Sequence, residues 1–405
     1  MWEMNNLKRV VVTGTGAITS IGLNSSDFWR SCLNGESGIS PIQKEGLQLL
    51  DPKYGGQIHN FDASEWIKVN DYKSIGRGSQ LLIASMYDAI KNAELKPETY
   101  KMADLYVGTT MGEISIEKTD YNRHLEEASP QHLLDQGFLH TLLANACREF
   151  DLQGETMLVA NACSAGNYAI IQGYEKIRNG EQSICFTAGE DPFSTIAYYG
   201  FNRLKAIAAK DCKPFDAHRD GMLVAEGAGC LVLEELEHAQ QRGANILAEV
   251  KGYGVSCDAY HITAPHPNST GIIQAMEKAI KKAGITTDDV DYISAHGTGT
   301  QANDKAESFA VNQLFHKKVP MSSIKSMIGH SMGAASLLEA IVCCNAVKED
   351  VAPPTINFEL KDINCDIDCI PNNKRSFPIE YAMNNSYAFG GANSSIIFKK
   401  FRDNC

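Results

Sequence analysis

No stretch of this 405-residue chain approaches the roughly 18–20 consecutive apolar residues of a membrane-spanning helix, so no membrane span is expected. The start, MWEMNNLKRVVVTGTG, has no uninterrupted apolar run before its first glycines, and the expected location is the cytoplasm. Zinc-type CxxC pairs are also missing. Twelve cysteines are scattered through apolar surroundings, with Cys343 and Cys344 adjacent and Cys365 and Cys369 separated by three residues. In a chain without a secretion signal these read as buried free thiols, and no metal site is expected. Positive charge is scarce: 37 lysines and arginines face 49 acidic residues, a formal net charge of −12. That excludes a broad nucleic-acid or anionic-membrane surface and leaves room only for a local basic patch. A complete dinucleotide fingerprint is absent too. Gly14-Thr15-Gly16 follows a strand, but Thr19 stands where a third glycine belongs, and the segment reads as a tight turn.

What is present fits an α/β enzyme. Hydrophobic residues make up 43% of the chain, 33 residues are glycine, and nothing is of low complexity. The length exceeds the roughly 250–300 residues at which single cores divide, so two linked halves are expected. Short β-rich runs at 9–12, 105–108, 157–160, 183–187, 229–233, 246–250, 292–295, 319–323 and 394–398 alternate with helical patterns at 80–93, 165–178, 270–283, 305–314 and 334–347. An internal echo supports the halves. Residues 157–178 read as strand, then Cys163-Ser164-Ala165-Gly166, then helix; residues 319–347 read as strand, then His330-Ser331-Met332-Gly333, then helix. The division is expected near residue 243, giving halves 1–243 and 244–405.

Cys163 stands where a strand ends and a helix begins. Backbone N–H groups and the positive helix end then face its sulfur and favour thiolate, and Ala162, Ser164, Ala165 and Gly166 leave room for a substrate. The competing reading is a small core residue. His296, in Ala295-His296-Gly297-Thr298-Gly299-Thr300, follows a strand in a glycine-rich loop, and His330 repeats the arrangement. Each alone reads equally as a structural histidine. One cysteine and one histidine suffice for a hydrolase or plain acyltransferase. A second histidine has its own task if two neutral imidazoles donate to one thioester oxygen and hold the enolate formed when a malonyl group loses carbon dioxide. Lys325 would set the charge balance around His330, or simply be solvated.

The chain resembles the β-ketoacyl-[acyl-carrier-protein] synthases of the thiolase-like superfamily. The resemblance rests on Ala162-Cys163-Ser164-Ala165-Gly166, Pro214-Phe215-Asp216 with Arg219-Asp220-Gly221, Asp258-Ala259-Tyr260-His261, Ala295-His296-Gly297-Thr298, Ser323-Ile324-Lys325-Ser326-Met327, Gly329-His330 and Asn385-Ser386-Tyr387-Ala388-Phe389-Gly390-Gly391. It implies an α/β thiolase-like fold of two βαβαβαββ halves in a five-layer α-β-α-β-α sandwich. The implied reaction is decarboxylative Claisen condensation of a Cys163-bound acyl chain with malonyl-acyl-carrier protein. The resemblance makes Cys163 the acylated nucleophile, His296 and His330 the malonyl-binding pair, Lys325 the support of His330, and Glu307 and Glu339 bracing acids. It gives the oxyanion hole to the N–H groups of Cys163 and Phe389, the gate to Phe389, the pantetheine arm to Thr298 and Thr300, and the acyl pocket to Met111.

No cofactor is implied on the enzyme itself, since phosphopantetheine arrives on the acyl carrier protein. The implied assembly is a homodimer, or a heterodimer with a chain-length-factor-like subunit that lacks the cysteine. The block Ser323–Ala334 is similar to type II polyketide ketosynthases as well as to fatty-acid synthases, and the reading leans to a polyketide or specialised pathway. Housekeeping fatty-acid elongation is the alternative, and a non-catalytic, pocket-shaping partner subunit is a rival of another class. Two departures bear on chain length: Ser-Ala follows the nucleophile where Thr-Ser is frequent, and Tyr387-Ala388 stand where Phe-Gly is usual. Glu113, beside Met111, either meets the acyl chain or serves a structural partner. Lys68, Lys73, Arg77, Arg203 and Lys205 are candidates for a carrier-binding patch, or ordinary surface.

Overall fold

The computed structural model describes residues 7–43, 53–113 and 139–402. Ten strands form its main sheet: β1 (Val10–Ile18), β2 (Asp104–Gly108), β3 (Thr156–Val159), β4 (Ile184–Asp191), β5 (Gly227–Glu235), β6 (Ala248–Cys257), β7 (Tyr292–Ser294), β8 (Met321–Ser322), β9 (Tyr381–Tyr387) and β10 (Ala392–Lys399). Their order is β8-β7-β9-β10-β6-β1-β5-β4-β2-β3.

Outward from the middle, each set of five repeats one topology. The first strand pairs antiparallel with the fifth, the fifth antiparallel with the fourth, and the second lies parallel between the fourth and the third. Within the sheet the two sets pair through Val10–Val12 of β1 against Ala248–Val250 of β6. Helices α1 (Ser25–Asn34), α2 (Arg77–Asn92), α3 (Thr141–Phe150), α4 (Ala165–Arg178), α5 (Thr195–Arg203), α6 (Thr270–Ala283), α7 (Gln301–Leu314) and α8 (Ala335–Glu349) complete the layers. Helix α2 covers β1 and β5, α6 covers β6 and β10, and α4 and α8 pack together between the two sets of strands. The five-layer sandwich is thus formed. Helix α8 reads ASLLEAIVCCNAVKE, apolar on every side, and a helix of that pattern is stable only when buried all round.

Gly14-Thr15-Gly16 is not the expected tight turn. It lies inside β1, because α2 packs so close that a Cβ on Gly14 would sit 2.4 Å from the Ala89 carbonyl and one on Gly16 1.9 Å from that of Ser85. Gly252 and Gly254 of β6 make the same allowance for α6. The internal echo exists with a different register. Ala162-Cys163-Ser164 and Met332-Gly333-Ala334 are the matching one-turn helices before α4 and α8, and Ala162 and Met332 both have left-handed backbone, φ 46° and 50°. Cys163 therefore corresponds to Gly333, not to His330. Among the described residues the eleven cysteines are all free, and no helix is long and apolar enough to cross a membrane.

Candidate active site

The left-handed turn at Ala162 swings Cys163 off the end of β3 and into the first turn leading to α4, where it is buried. The Ser386 hydroxyl donates to the Cys163 carbonyl at 2.9 Å, and the Ser164 hydroxyl donates to the Ser386 carbonyl at 3.0 Å. The Cys163 turn is thereby stitched to the end of β9.

His330 follows the turn at Gly329. Its N–H donates to the Leu223 carbonyl at 2.7 Å and its carbonyl accepts from Ala225 at 3.0 Å. The Met332 N–H donates to Nδ1 at 3.2 Å, so Nδ1 is an acceptor and the proton sits on Nε2. Nε2 lies 3.1 Å from Cys163 Sγ.

His296 ends the run from β7. Glu307, on α7, accepts from the His296 N–H at 2.9 Å and the Gly297 N–H at 2.8 Å. The imidazoles meet edge to face with centroids 5.5 Å apart, and Tyr387 stands edge-on to His296 at 5.8 Å. One ligand atom from each of Cys163, His296 and His330 lies within 4.8 Å of the others. Such a trio has metal-ligand chemistry, but the 3.1 Å Sγ···Nε2 separation is of hydrogen-bond length. Two ligands on one tetrahedral zinc stand about 3.5 Å apart, given Zn–S of about 2.3 Å and Zn–N of about 2.0 Å.

Lys325 and Glu339, each 1% exposed, form a buried ion pair. Burial, together with the Lys325 charge, holds His330 well below the usual imidazole range. Burial, Lys325 and His330 do the same to His296. Both rings are neutral at physiological pH and available as N–H donors. Burial pushes Glu307 up to about 8 and Glu339 up to about 7. Burial also pushes the Cys163 thiol up to about 11, against the lowering effect of Lys325. Burial thus opposes the thiolate that the strand-helix junction favours.

Cys163, His296 and His330 open on a cleft also lined by Thr298, Thr300, Phe201, Tyr387 and Phe389. Phe389 is 40% exposed at its mouth, with its ring 5.6 Å from that of Phe201. Its loop is held by Gly390 N–H to the Ile262 carbonyl at 2.7 Å. The Thr298 and Thr300 hydroxyls are 2.9 Å apart.

Cys163, His296, His330, Lys325, Glu307, Glu339, Phe389, Thr298 and Thr300 thus gather in one place. Met111 does not line the cleft; its N–H is held by Asp191 at 2.6 Å. Glu113 is buried and serves a structural partner, accepting from Gly78 and Ser79 at the start of α2. Of the basic candidates, Arg77 is paired with Glu226, whereas Arg203 and Lys205 are exposed beside the cleft residues Phe201 and Ala206. Asp191 and Phe201 were not singled out from the sequence; an acid at a strand end and a phenylalanine in a helix carry no distinguishing signal there.

The beta-ketoacyl synthase N-terminal domain matches residues 7–239 and the C-terminal domain residues 247–359. The chain belongs to the β-ketoacyl synthase family. As a β-ketoacyl synthase it is an acyltransferase that forms carbon–carbon bonds. It is 34% identical over 419 residues to the 3-oxoacyl-[acyl-carrier-protein] synthase 2 of Synechocystis, covering 98% of this chain and 99% of that one. Among solved structures, the ishigamide ketosynthase/chain length factor matches with a TM-score of 0.93 and 36% identity, covering 98% of this chain and all of that one. A type II polyketide ketosynthase, in complex with its acyl-carrier protein and bound to the hexaketide, matches at 0.86 and 28%, over 98% of this chain and all of that one. The thiolase-like fold and the ketosynthase reading from sequence agree with these matches.

Proposed function

We propose that Cys163 carries the acyl chain while His296 and His330 generate the carbanion from a malonyl group borne on an acyl carrier protein. The Cys163 sulfur attacks the incoming acyl thioester as its S–H bond breaks, and that proton passes to the departing phosphopantetheine sulfur, which leaves as the thiol. The malonyl thioester oxygen then receives N–H bonds from the two neutral imidazoles. Carbon dioxide departs, its electron pair forms the enolate, and the enolate carbon attacks the Cys163 acyl carbon. The N–H groups of Cys163 and Phe389 hold the tetrahedral oxyanion, which collapses to release Cys163 thiolate and a 3-oxoacyl thioester on the carrier.

Lys325 keeps the histidines neutral, Glu339 balances Lys325, and Glu307 fixes the His296 backbone. Thr298 and Thr300 receive the pantetheine arm, and Phe389 gates the cleft. The observation that carries the reading is one sulfur with two neutral imidazoles within 4.8 Å. A hydrolase has no use for the second.

The partner is an acyl carrier protein, and the pathway is a type II polyketide or specialised one, supported by the 0.93 match to a ketosynthase/chain length factor. With Cys163 present, this chain is the catalytic member of a homodimer or of a heterodimer with a chain-length-factor-like subunit. Halves 1–243 and 244–405 divide it between β5 and β6. The cytoplasm suits it, since eleven unpaired cysteines stay reduced there.

Cys163→Ala tests the reading. Elongation is lost while malonyl thioester is still decarboxylated. Loss of both activities in folded protein points to a Cys–His acyltransferase or hydrolase instead.

A further inference from the structure

The proton on His330 Nε2 depends on a contact that His330 does not itself make. Nδ1 is kept as an acceptor by the Met332 N–H, and Met332 itself stands in a left-handed conformation, φ 50°. For a residue with a Cβ, that conformation is strained. The next N–H along, that of Gly333, donates to Asp191 Oδ2 at 2.6 Å. Asp191 is fully buried at the end of β4. It also accepts from the Thr109 hydroxyl at 2.9 Å, from Thr110 N–H at 3.0 Å and from Met111 N–H at 2.6 Å. A Cβ on Gly333 would stand 2.7 Å from the Thr109 Cα and 2.9 Å from Asp191 Oδ2, so the turn is pressed against the very residues that Asp191 gathers.

We infer that Asp191 is a positioning residue: by gripping Gly333 it holds the Met332 N–H on His330 Nδ1 and so keeps the proton on Nε2, facing Cys163. The inference rests on the roles proposed above for His330 and Cys163. A charge-assisted bond to a buried carboxylate is among the stronger hydrogen bonds and offsets the strain of the left-handed turn. Released, Met332 is free to relax and the imidazole to take the other tautomer, which presents a lone pair where the thioester oxygen needs a donor. Acylation of Cys163 does not share this dependence. The Asp191 charge opposes the thiolate, so its removal does not slow nucleophilic attack.

Asp191→Asn and Thr109→Val are compared with the parent for two separate rates: acylation of Cys163 by an acyl thioester, and decarboxylation of a malonyl thioester. Histidine-¹⁵N spectra are recorded alongside, with His330 assigned by its loss in His330→Gln. In Asp191→Asn, decarboxylation falls on the order of 10²-fold, acylation stays within about twofold, and the His330 nitrogens leave the Nε2–H pattern. Thr109→Val removes a single donor to Asp191 and shifts the same quantities in the same sense, by less than about tenfold. It also serves if the Asn variant does not fold. Equal loss of both rates with unchanged His330 nitrogens overturns the inference. A parent protein that decarboxylates nothing overturns the proposed function, while the nitrogen spectra still decide the role of Asp191.

Discussion

His330 Nε2 lies 3.1 Å from Cys163 Sγ, although the two residues stand 167 positions apart. The contact joins the ends of two turns built alike, one before α4 and one before α8. With Nδ1 bonded to the Met332 N–H, Nε2 is the donor and sulfur the acceptor, so His330 in this state is not poised to take the thiol proton. That arrangement suits a donor to a substrate oxygen better than a general base, and it separates this site from a Cys–His hydrolase.

The titration of Cys163 follows from its burial. A thiol pushed up to about 11 is almost wholly protonated at neutral pH. Deprotonation favours the reactive form, so alkylation by iodoacetamide should climb about tenfold per unit between about pH 7 and 9 without a plateau. Peptide mass spectrometry separates Cys163 from the exposed Cys257. A plateau already at pH 7 would mean a standing thiolate and would contradict the burial argument.

Glu307 ties pH to stability. Burial raises its pKa from an ordinary 4.5 to about 8, so between those values the folded state keeps a proton that the unfolded state has released. Its stabilising contribution is complete below about 4.5 and is lost as pH rises through about 8, at up to about 1.4 kcal/mol per pH unit. Glu307→Gln removes that dependence at the cost of a constant offset, because its amide faces one of the two N–H groups. Urea unfolding from pH 5 to 8 should therefore show the variant gaining on the parent as pH rises. A difference that does not change with pH would mean that Glu307 is ionised in the fold, held so by the N–H groups of His296 and Gly297.

Much of this was legible in the residues themselves. Cys163, His296 and His330 each sit among small residues after an apolar β run, and that pattern marks strand ends at a sheet's carboxyl edge. Strand β9 was not found because its sequence, Tyr-Ala-Met-Asn-Asn-Ser-Tyr, mixes polar residues into a buried strand. Asn384 bonds Asn167 and Ser336, and Ser386 bonds Cys163, partners that only the tertiary fold supplies. The glycines of β1 were taken for a turn because a helix pressing on a strand leaves no mark in the strand's own sequence. The register of the internal echo was misread for a similar reason: the turns are matched by backbone angle at Ala162 and Met332, not by residue type.

Strand β3 is the edge at which the proposed dimer would join. It is the outermost strand beside β2, its last neighbour in the order, and it carries Met157 at 38% exposure. An edge with an exposed apolar residue and unpaired backbone groups is a template for another strand. Met157→Glu should shift the protein from dimer to monomer in sedimentation velocity at micromolar concentration, with circular dichroism unchanged. A variant that sediments as the parent does would remove β3 from the interface.

Arg203 and Lys205 predict how the carrier is met. Both are exposed next to Phe201 and Ala206 at the cleft, and neither pairs with a carboxylate among the described residues, whereas Arg77 is committed to Glu226 and to the Ile58 carbonyl. An acidic enzyme attracts an acidic carrier only through a local patch, and the attraction is screened by salt. The double reversal Arg203→Glu with Lys205→Glu should raise KM for carrier-bound malonyl thioester about tenfold at low salt, leaving kcat near its parent value. KM for malonyl on free pantetheine, which has no protein surface to repel, should stay the same. Equal effects on both substrates would mean that the substitutions disturb Phe389 through Phe201, and the carrier would then have to dock elsewhere.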